Sequence, residues 1–263
     1  MSKADRSHVA LYVPALVGLG FLVLPVVGLL AKTPWRELPA LLAAGDSWTA
    51  LRLSLETATL ATGVSLVLGV PLAWLLARTR VPARRLVRAL VTVPLVLPPV
   101  VAGIALLLVL GRQGLVGGWL DREFGVTLPF TTPGVVVAES FVALPYLVVS
   151  VESALRLADP QLEEAAATCG ANQWQIFRWV TLPIVAPGVA AGAALAWARA
   201  LGEFGATITF AGNFPGTTQT MPLAVYLQLE QDPQAAIALS LVLLVVSIAV
   251  LAALRDRWWT GVR

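Results

Sequence analysis

The chain has 263 residues, of which 18 are Lys or Arg and 15 Asp or Glu, giving a formal net charge of +3. Only 13% of residues are charged and 58% are apolar, with a mean hydropathy of +0.82. A soluble domain carries about a quarter charged residues, so this chain lacks the polar surface to cover a water-exposed core and reads as an integral membrane protein.

The inventory of reactive side chains is short. Cys169 is the single cysteine and His8 the single histidine, so there is no intrachain disulfide and no cluster with metal-ligand spacing. A Ser-His-Asp triad would have to use that one histidine. Lysine occurs only at positions 3 and 32, and neither follows the glycines of a G-x-x-x-x-G-K-[ST] phosphate loop. The expectation is therefore no catalytic residue, no metal and no cofactor; ATP, if used, is bound by another chain.

A helix crossing the hydrocarbon core needs about 20 mostly apolar residues. In chain order the first such run is 9–31. It is longer than the roughly 7–15 apolar residues of a secretory signal, and "LLAKTP" is a poor cleavage site, so a retained span is expected. The second run, 51–77, carries Arg52 and Glu56. It is followed by Arg78, Arg80, Arg84, Arg85 and Arg88 with no acid among them. The third run, 89–110, contains Pro94, Pro98 and Pro99, which free backbone carbonyls and kink a helix. Such defects persist in a bilayer only where protein or water satisfies them; a packing kink and a pathway lining both fit.

The fourth run, 133–155, carries Glu139 and Glu152. A polar segment at 156–183 separates it from the fifth, 184–210, whose end could fall anywhere between Leu201 and Gly212. The sixth is 235–254. Stretches 32–50, 111–132 and 211–233 are the longer connections. No internal repeat or shift in composition divides the chain, so 1–263 reads as one transmembrane domain: an all-α fold of six transmembrane helices.

Basic residues orient such a chain, being enriched on the cytoplasmic side. With the N-terminus inside, the cytoplasmic segments hold Lys3, Arg6, the five arginines at 78–88, Arg156, Arg178, Arg255, Arg257 and Arg263, twelve of the 18. The outer segments hold Lys32, Arg36, Arg52, Arg112 and Arg122, and Arg199 lies within a span. Both termini and segment 156–183 are expected to be cytoplasmic in a multi-pass protein of the cell membrane. The excess of positive charge needs no nucleic-acid partner.

The polar segment has its own punctuation. Asp159 followed by Pro160 is a helix start, with a side-chain acceptor at the N-cap and preset φ after it. Glu163 and Glu164 fall in the first turn, where the helix dipole favours anions. Gly170 is placed to end this helix in the left-handed conformation. Asn172 can cap a second helix, Gln173 to Val180, with Trp174, Phe177 and Val180 near one face. Leu182–Pro183 is expected to stop it before the fifth span. Such a unit could rest on the bilayer through its tryptophans or dock a cytoplasmic partner.

One spacing goes further. Glu164-Ala165-Ala166, three residues, Gly170, nine residues, then Val180-x-Leu182-Pro183 resembles the EAA loop of the membrane subunits of bacterial ABC importers, with Val180 where isoleucine is usual. From about Leu51 to Leu254, "VPLVLPPVVAGIALLLVLGRQGLVG" (93–117) and "RALGEFGATITFAGNFPGTTQTMPLAVY" (199–226) look like the permease subunits of molybdate importers. Sulfate permeases are similar but differ around the second block.

The resemblance implies the type I ABC importer permease fold with a cytoplasmic two-helix coupling loop. It implies Glu164, Ala165, Ala166, Gly170, Trp174, Phe177, Val180, Leu182 and Pro183 as the ATPase-coupling residues. The implied partners are a second copy of the chain, two cytoplasmic ATP-binding subunits, an extracytoplasmic molybdate-binding protein and membrane lipid.

Within the spans, Pro98, Pro99, Arg199, Glu203, Thr207 and Thr209 are candidates for the translocation pathway. Intramembrane ionisable residues are functional candidates by default. Arg199 could attract a tetrahedral dianion, or Arg199 and Glu203, one turn apart, could neutralise each other. Thr207 and Thr209 could face a pathway or bond their own helix. Gly188, Gly192 and Ala196, four apart, permit close helix approach and suit a subunit interface or a closed gate. Glu139 suits a polar seam in the bundle, while Glu56 and Glu152 near span ends can reach headgroups. Related oxyanions, tungstate or sulfate and thiosulfate, are the alternative cargo. A stand-alone proton-coupled transporter using Glu139 and the Arg199–Glu203 pair is the rival from another class.

Overall fold

A computed structural model describes residues 3–43, 47–79 and 82–259, with side chains described for 12–41, 47–79 and 82–252. Arg80 and Arg263 lie outside the described residues, as do the side chains of Lys3, Arg6, His8, Arg255 and Arg257. The described residues are helical, without strands. Among the described residues, five helices are long and apolar enough to cross a membrane: Tyr12–Lys32 within α1 (Lys3–Lys32), α3 (Ser47–Arg78), α7 (Thr132–Leu157), the continuous run Gln173–Leu201, and Pro233–Ala252 within α13 (Pro233–Trp259). A bent pair, α4 (Arg84–Val96) and α5 (Pro99–Leu110), is the sixth element of that kind.

The expected third span, 89–110, is not one straight helix. Leu97 and Pro98 are extended, at ψ 127° and 134°, and the two halves meet at 119°. Pro98 and Pro99 remove two consecutive amide donors, and a residue before proline is pushed out of the helical region. The orphaned groups are taken up locally, with Leu97 N–H donating to Val93 O and Ala102 N–H to Pro98 O, both at 3.0 Å.

The expected fifth span, 184–210, also breaks. It runs unbroken only to Leu201, turns through Gly202 to Phe204, and resumes as α11 (Gly205–Phe210). The longer connections carry short helices of their own: α2 (Leu38–Ala43), α6 (Gly117–Phe124) and α12 (Met221–Gln231). α12 is part of the packed body, with Met221 and Leu223 fully buried and the Met221 N–H donating to Ser54 Oγ at 2.6 Å.

α7 is the spine, flanked along its length by α3 and by α10 (Leu182–Leu201). The contact is built from small residues on the outer two helices, among them Ala58, Ala61, Ala73, Ala196 and Ala200, against Leu147, Val148, Val151 and Leu155 of α7. In lipid there is little hydrophobic drive between helices, so close approach through small side chains supplies the attraction. Gly188 and Gly192, expected at a subunit interface or gate, belong to this interior instead. A Cβ on Gly188 would collide with Ala154 Cβ, and one on Gly192 would lie 2.9 Å from Ser150 Cβ.

Glu152 corrects another expectation. It is buried rather than reaching the headgroups, and Arg88 of α4 and Arg156 of α7 both hold its Oε1, at 2.5 and 2.8 Å. This clamp fixes α4 on α7. Glu56 is exposed and pairs with Arg52 at 2.6 Å. Gly192→Val should lower the thermal stability of the detergent-solubilised protein by about 1–3 kcal/mol through overpacking. Gly63→Ala, where a Cβ meets nothing within 4 Å, should not lower the melting temperature and, inside a helix, should raise it slightly.

Candidate functional site

The polar segment folds as two short helices around a hinge. α8 (Pro160–Thr168) starts at Asp159, whose Oδ1 accepts the Gln161 N–H at 3.0 Å. It ends at Gly170, with φ +87°, where the Cys169 N–H donates to Ala165 O at 3.2 Å and the Ala171 N–H to Ala166 O at 3.1 Å. α9 (Gln173–Ile176) opens with a reciprocal capping box: Gln175 N–H donates to Asn172 Oδ1 at 2.9 Å, and Asn172 N–H to Gln175 Oε1 at 2.8 Å. Each of these devices satisfies donors or carbonyls that a helix end otherwise leaves open.

The expected stop at Leu182–Pro183 is absent. α9 passes through a π turn, Phe177–Thr181, straight into α10, and the whole run from Gln173 to Leu201 is helical. Pro183 lies in the first turn of α10, where the wider π loop leaves room for a ring that lacks a donor. Trp174 and Phe177 stack with centroids 5.8 Å apart, and Arg178 lies over the Trp179 ring at 5.5 Å. Trp174 and Trp179 are exposed, and Val180 is half-buried.

The two neighbouring acids point different ways. Glu164 is exposed and, among the described residues, makes no ion pair, as Ala165 beside it is also exposed. Glu163 turns inward to Arg78 at the end of α3, with Nε to Oε1 at 3.2 Å. The sequence pattern puts Glu163 in the first turn of its helix but does not give its pairing, because the partner is 85 positions away.

The candidates inside the spans separate into buried and surface groups. Glu203 is 1% exposed and holds two partners: Arg199 Nη1 at 2.5 Å from Oε2, and the Ala206 N–H, which donates to Oε1 at 2.7 Å. The carboxylate thus neutralises Arg199 and satisfies a free amide in the first turn of α11, which suits the reading in which the pair fixes the helix. Thr207 is fully buried. Thr209 donates to its own helix at Gly205 O, 2.8 Å away, and packs against Gly103 of α5.

Pro98 and Pro99 are exposed at the break. Gly205 packs against Pro99, a Cβ there lying 2.7 Å from Pro99 Cβ; α11 therefore seats directly on the broken span. Glu139 is buried on α7 and accepts a hydrogen bond from Thr57 Oγ1 of α3 at 3.0 Å, a polar seam between the two helices.

Removing one member of a buried pair strands the other charge. Arg199→Gln should cost about 3–5 kcal/mol of stability, read as loss of folded protein on size-exclusion chromatography. The double variant Arg199→Gln/Glu203→Gln should recover most of it, since the amide can still accept from Ala206.

With this geometry in view, the likeness to other proteins is informative. Residues 69–260 match the family described as binding-protein-dependent transport system inner membrane component. The chain is 49% identical over 239 residues to the molybdenum transport system permease protein ModB of Mycobacterium tuberculosis, covering 91% of this chain and 90% of that one. It is 41% identical to ModB of Escherichia coli, covering 80% and 92%, and 36% identical to the Escherichia coli sulfate transport system permease protein CysT, covering 88% and 84%. Its fold matches a chain of a bacterial ABC transporter involved in the import of the acidic polysaccharide alginate, with TM-score 0.75 over 99% of this chain and 98% of that one at 20% identity. The polar unit after α7, the helical body and the match across most of the sequence converge: this chain belongs to the binding-protein-dependent transport system inner membrane component family.

Proposed function

We propose that this chain is the permease subunit of an ATP-driven, binding-protein-dependent importer, and that its cargo is molybdate. The observation that carries the first part is the capped helix pair around Gly170, which leaves Glu164 and Ala165 exposed. Molybdate rests on the higher identity to the two molybdenum permeases than to the sulfate permease. In this reading two copies of the chain enclose the pathway, two ATP-binding subunits dock on residues 156–183, and an external protein delivers the anion. The chain itself makes and breaks no covalent bond. Its work is to alternate access as ATP-driven closure of the partners displaces the docked helices.

The distribution of basic residues supports a cytoplasmic position for 156–183 and both termini. Cys169 is the only cysteine and is exposed beside the hinge. A membrane-impermeant maleimide should therefore label the unmodified protein in inside-out vesicles and leave right-side-out vesicles unlabelled. Labelling from the outside alone would reverse the orientation and remove the docking site from the ATPase.

Uptake of labelled molybdate into vesicles should require this chain, its ATPase, ATP and the binding protein together. Excess tungstate and sulfate as competitors will rank the oxyanions. Uptake by this chain alone that collapses with an uncoupler would instead support the proton-coupled transporter. Glu164→Arg or Gly170→Pro should leave the protein inserted while cutting uptake by about tenfold or more, within the range of energetic coupling between sites.

A further inference from the structure

Glu163 and Glu164 are consecutive on α8 and so about 100° apart around its axis. The resemblance to the EAA loop draws attention to Glu164, but it is Glu163 that connects the loop to the spans. Its side chain is 20% exposed and that of Arg78 is 14% exposed. Arg78 Nε reaches Glu163 Oε1 at 3.2 Å, and Arg78 Nη2 donates to Ala158 O at 3.1 Å, just before α8 begins. The same Oε1 accepts from Thr181 Oγ1 at 3.0 Å. Thr181 is 1% exposed and is the last residue of the π turn. One carboxylate oxygen thus joins the end of α3, the start of α8 and the entry to α10.

The surroundings make that junction mechanically important. α8 packs on α9 and the π turn, while its ion pair to α3 is the one at Arg78. Beside the junction lies a cavity of about 370 Å³ lined by Trp74, Arg78, Glu163, Glu164, Phe177 and Thr181. Without the polar tie, α8 has room to swing into this space and leave α3 and α10 where they are. With it, a push on α8 reaches the cytoplasmic ends of two spans at once. A partly buried Arg–carboxylate pair with further hydrogen bonds suits this role, since losing one member leaves the other unsatisfied.

We propose that Arg78, Glu163 and Thr181 form the transmission tie of this subunit: positioning residues that make displacement of α8 move α3 and α10, without touching the cargo. This rests on the reading of residues 156–183 as the docking site of an ATPase. The tie therefore sets how much transport each ATP yields, whereas Glu164 governs whether the partner is held at all.

The test uses the complete complex of this chain, its ATPase and its binding protein, reconstituted in liposomes with labelled molybdate. Arg78→Gln, Glu163→Ala and Thr181→Val should retain the ATPase on co-purification and continue to hydrolyse ATP. The ATP hydrolysed per molybdate imported should rise by about tenfold for the first two, a typical coupling between sites, and by less for Thr181→Val, which removes one arm. The reversal Arg78→Glu/Glu163→Arg should bring the ratio back toward the wild-type value. An unchanged ratio in Glu163→Ala and Thr181→Val overturns the tie. Should the arginine variants fold poorly, Thr181→Val, which exchanges only the hydroxyl for a methyl, decides on the same ratio. Failure of the wild-type chain to hold any ATPase would instead overturn the docking reading on which the tie depends.

Discussion

Inside hydrocarbon, a backbone amide or a charged side chain has no water to fall back on, so each must find its partner within the protein. That constraint is visible at the breaks and buried charges by which this molecule departs from a simple bundle. The break between α4 and α5 removes two amide donors by using two prolines and closes the neighbouring amides onto Val93 and Pro98 carbonyls. The break after Leu201 leaves an amide at Ala206, and Glu203 accepts from it while Arg199 cancels its charge. A buried Glu152 is held by two arginines and a buried Glu139 by Thr57. Irregular backbone and polar side chains occur together because each supplies what the other lacks.

The same constraint separates the packed body from segment 156–183. α7 is packed against α3 and α10 through alanine and glycine surfaces, and a methyl added at Gly69, Gly188 or Gly192 would collide with α7. Segment 156–183 has another construction. Its helices are short, capped by their own side chains, largely exposed, and attached to the body through a few polar contacts and one continuous helix. A short helix that satisfies its own ends needs little from its neighbours to keep its shape.

Legibility in the sequence followed the distance over which each decision is made. Asp159–Pro160, Gly170 and Asn172 were readable because a cap is decided within four residues of chain. The membrane character was readable from composition, and the helical spans from the lengths of the apolar runs. The stop at Pro183 was misjudged since a proline is harmless in a first helical turn, and nothing local announces a π turn before it. Gly188 and Gly192 announced a close approach without naming the partner, which proved to be α7 of the same chain. Glu152 and Glu163 escaped for a similar reason: the arginines that hold them, Arg88 and Arg78, stand 64 and 85 residues away. The Arg199–Glu203 pairing was visible at one turn's spacing, but the second duty of Glu203 at Ala206 depended on a helix break no spacing predicts.

The π turn at Phe177–Thr181 has a further implication for how this stretch can vary. A π turn holds one residue more than the α-helical turn it replaces, so it acts as a built-in insertion between α9 and α10. Deleting any single residue there would restore ordinary winding and rotate Trp174 and everything before it by about 100° around the shaft of α10. The hinge would then face another direction while every cap stayed intact. The direction in which segment 156–183 faces therefore depends on a residue count between Gln173 and Leu201.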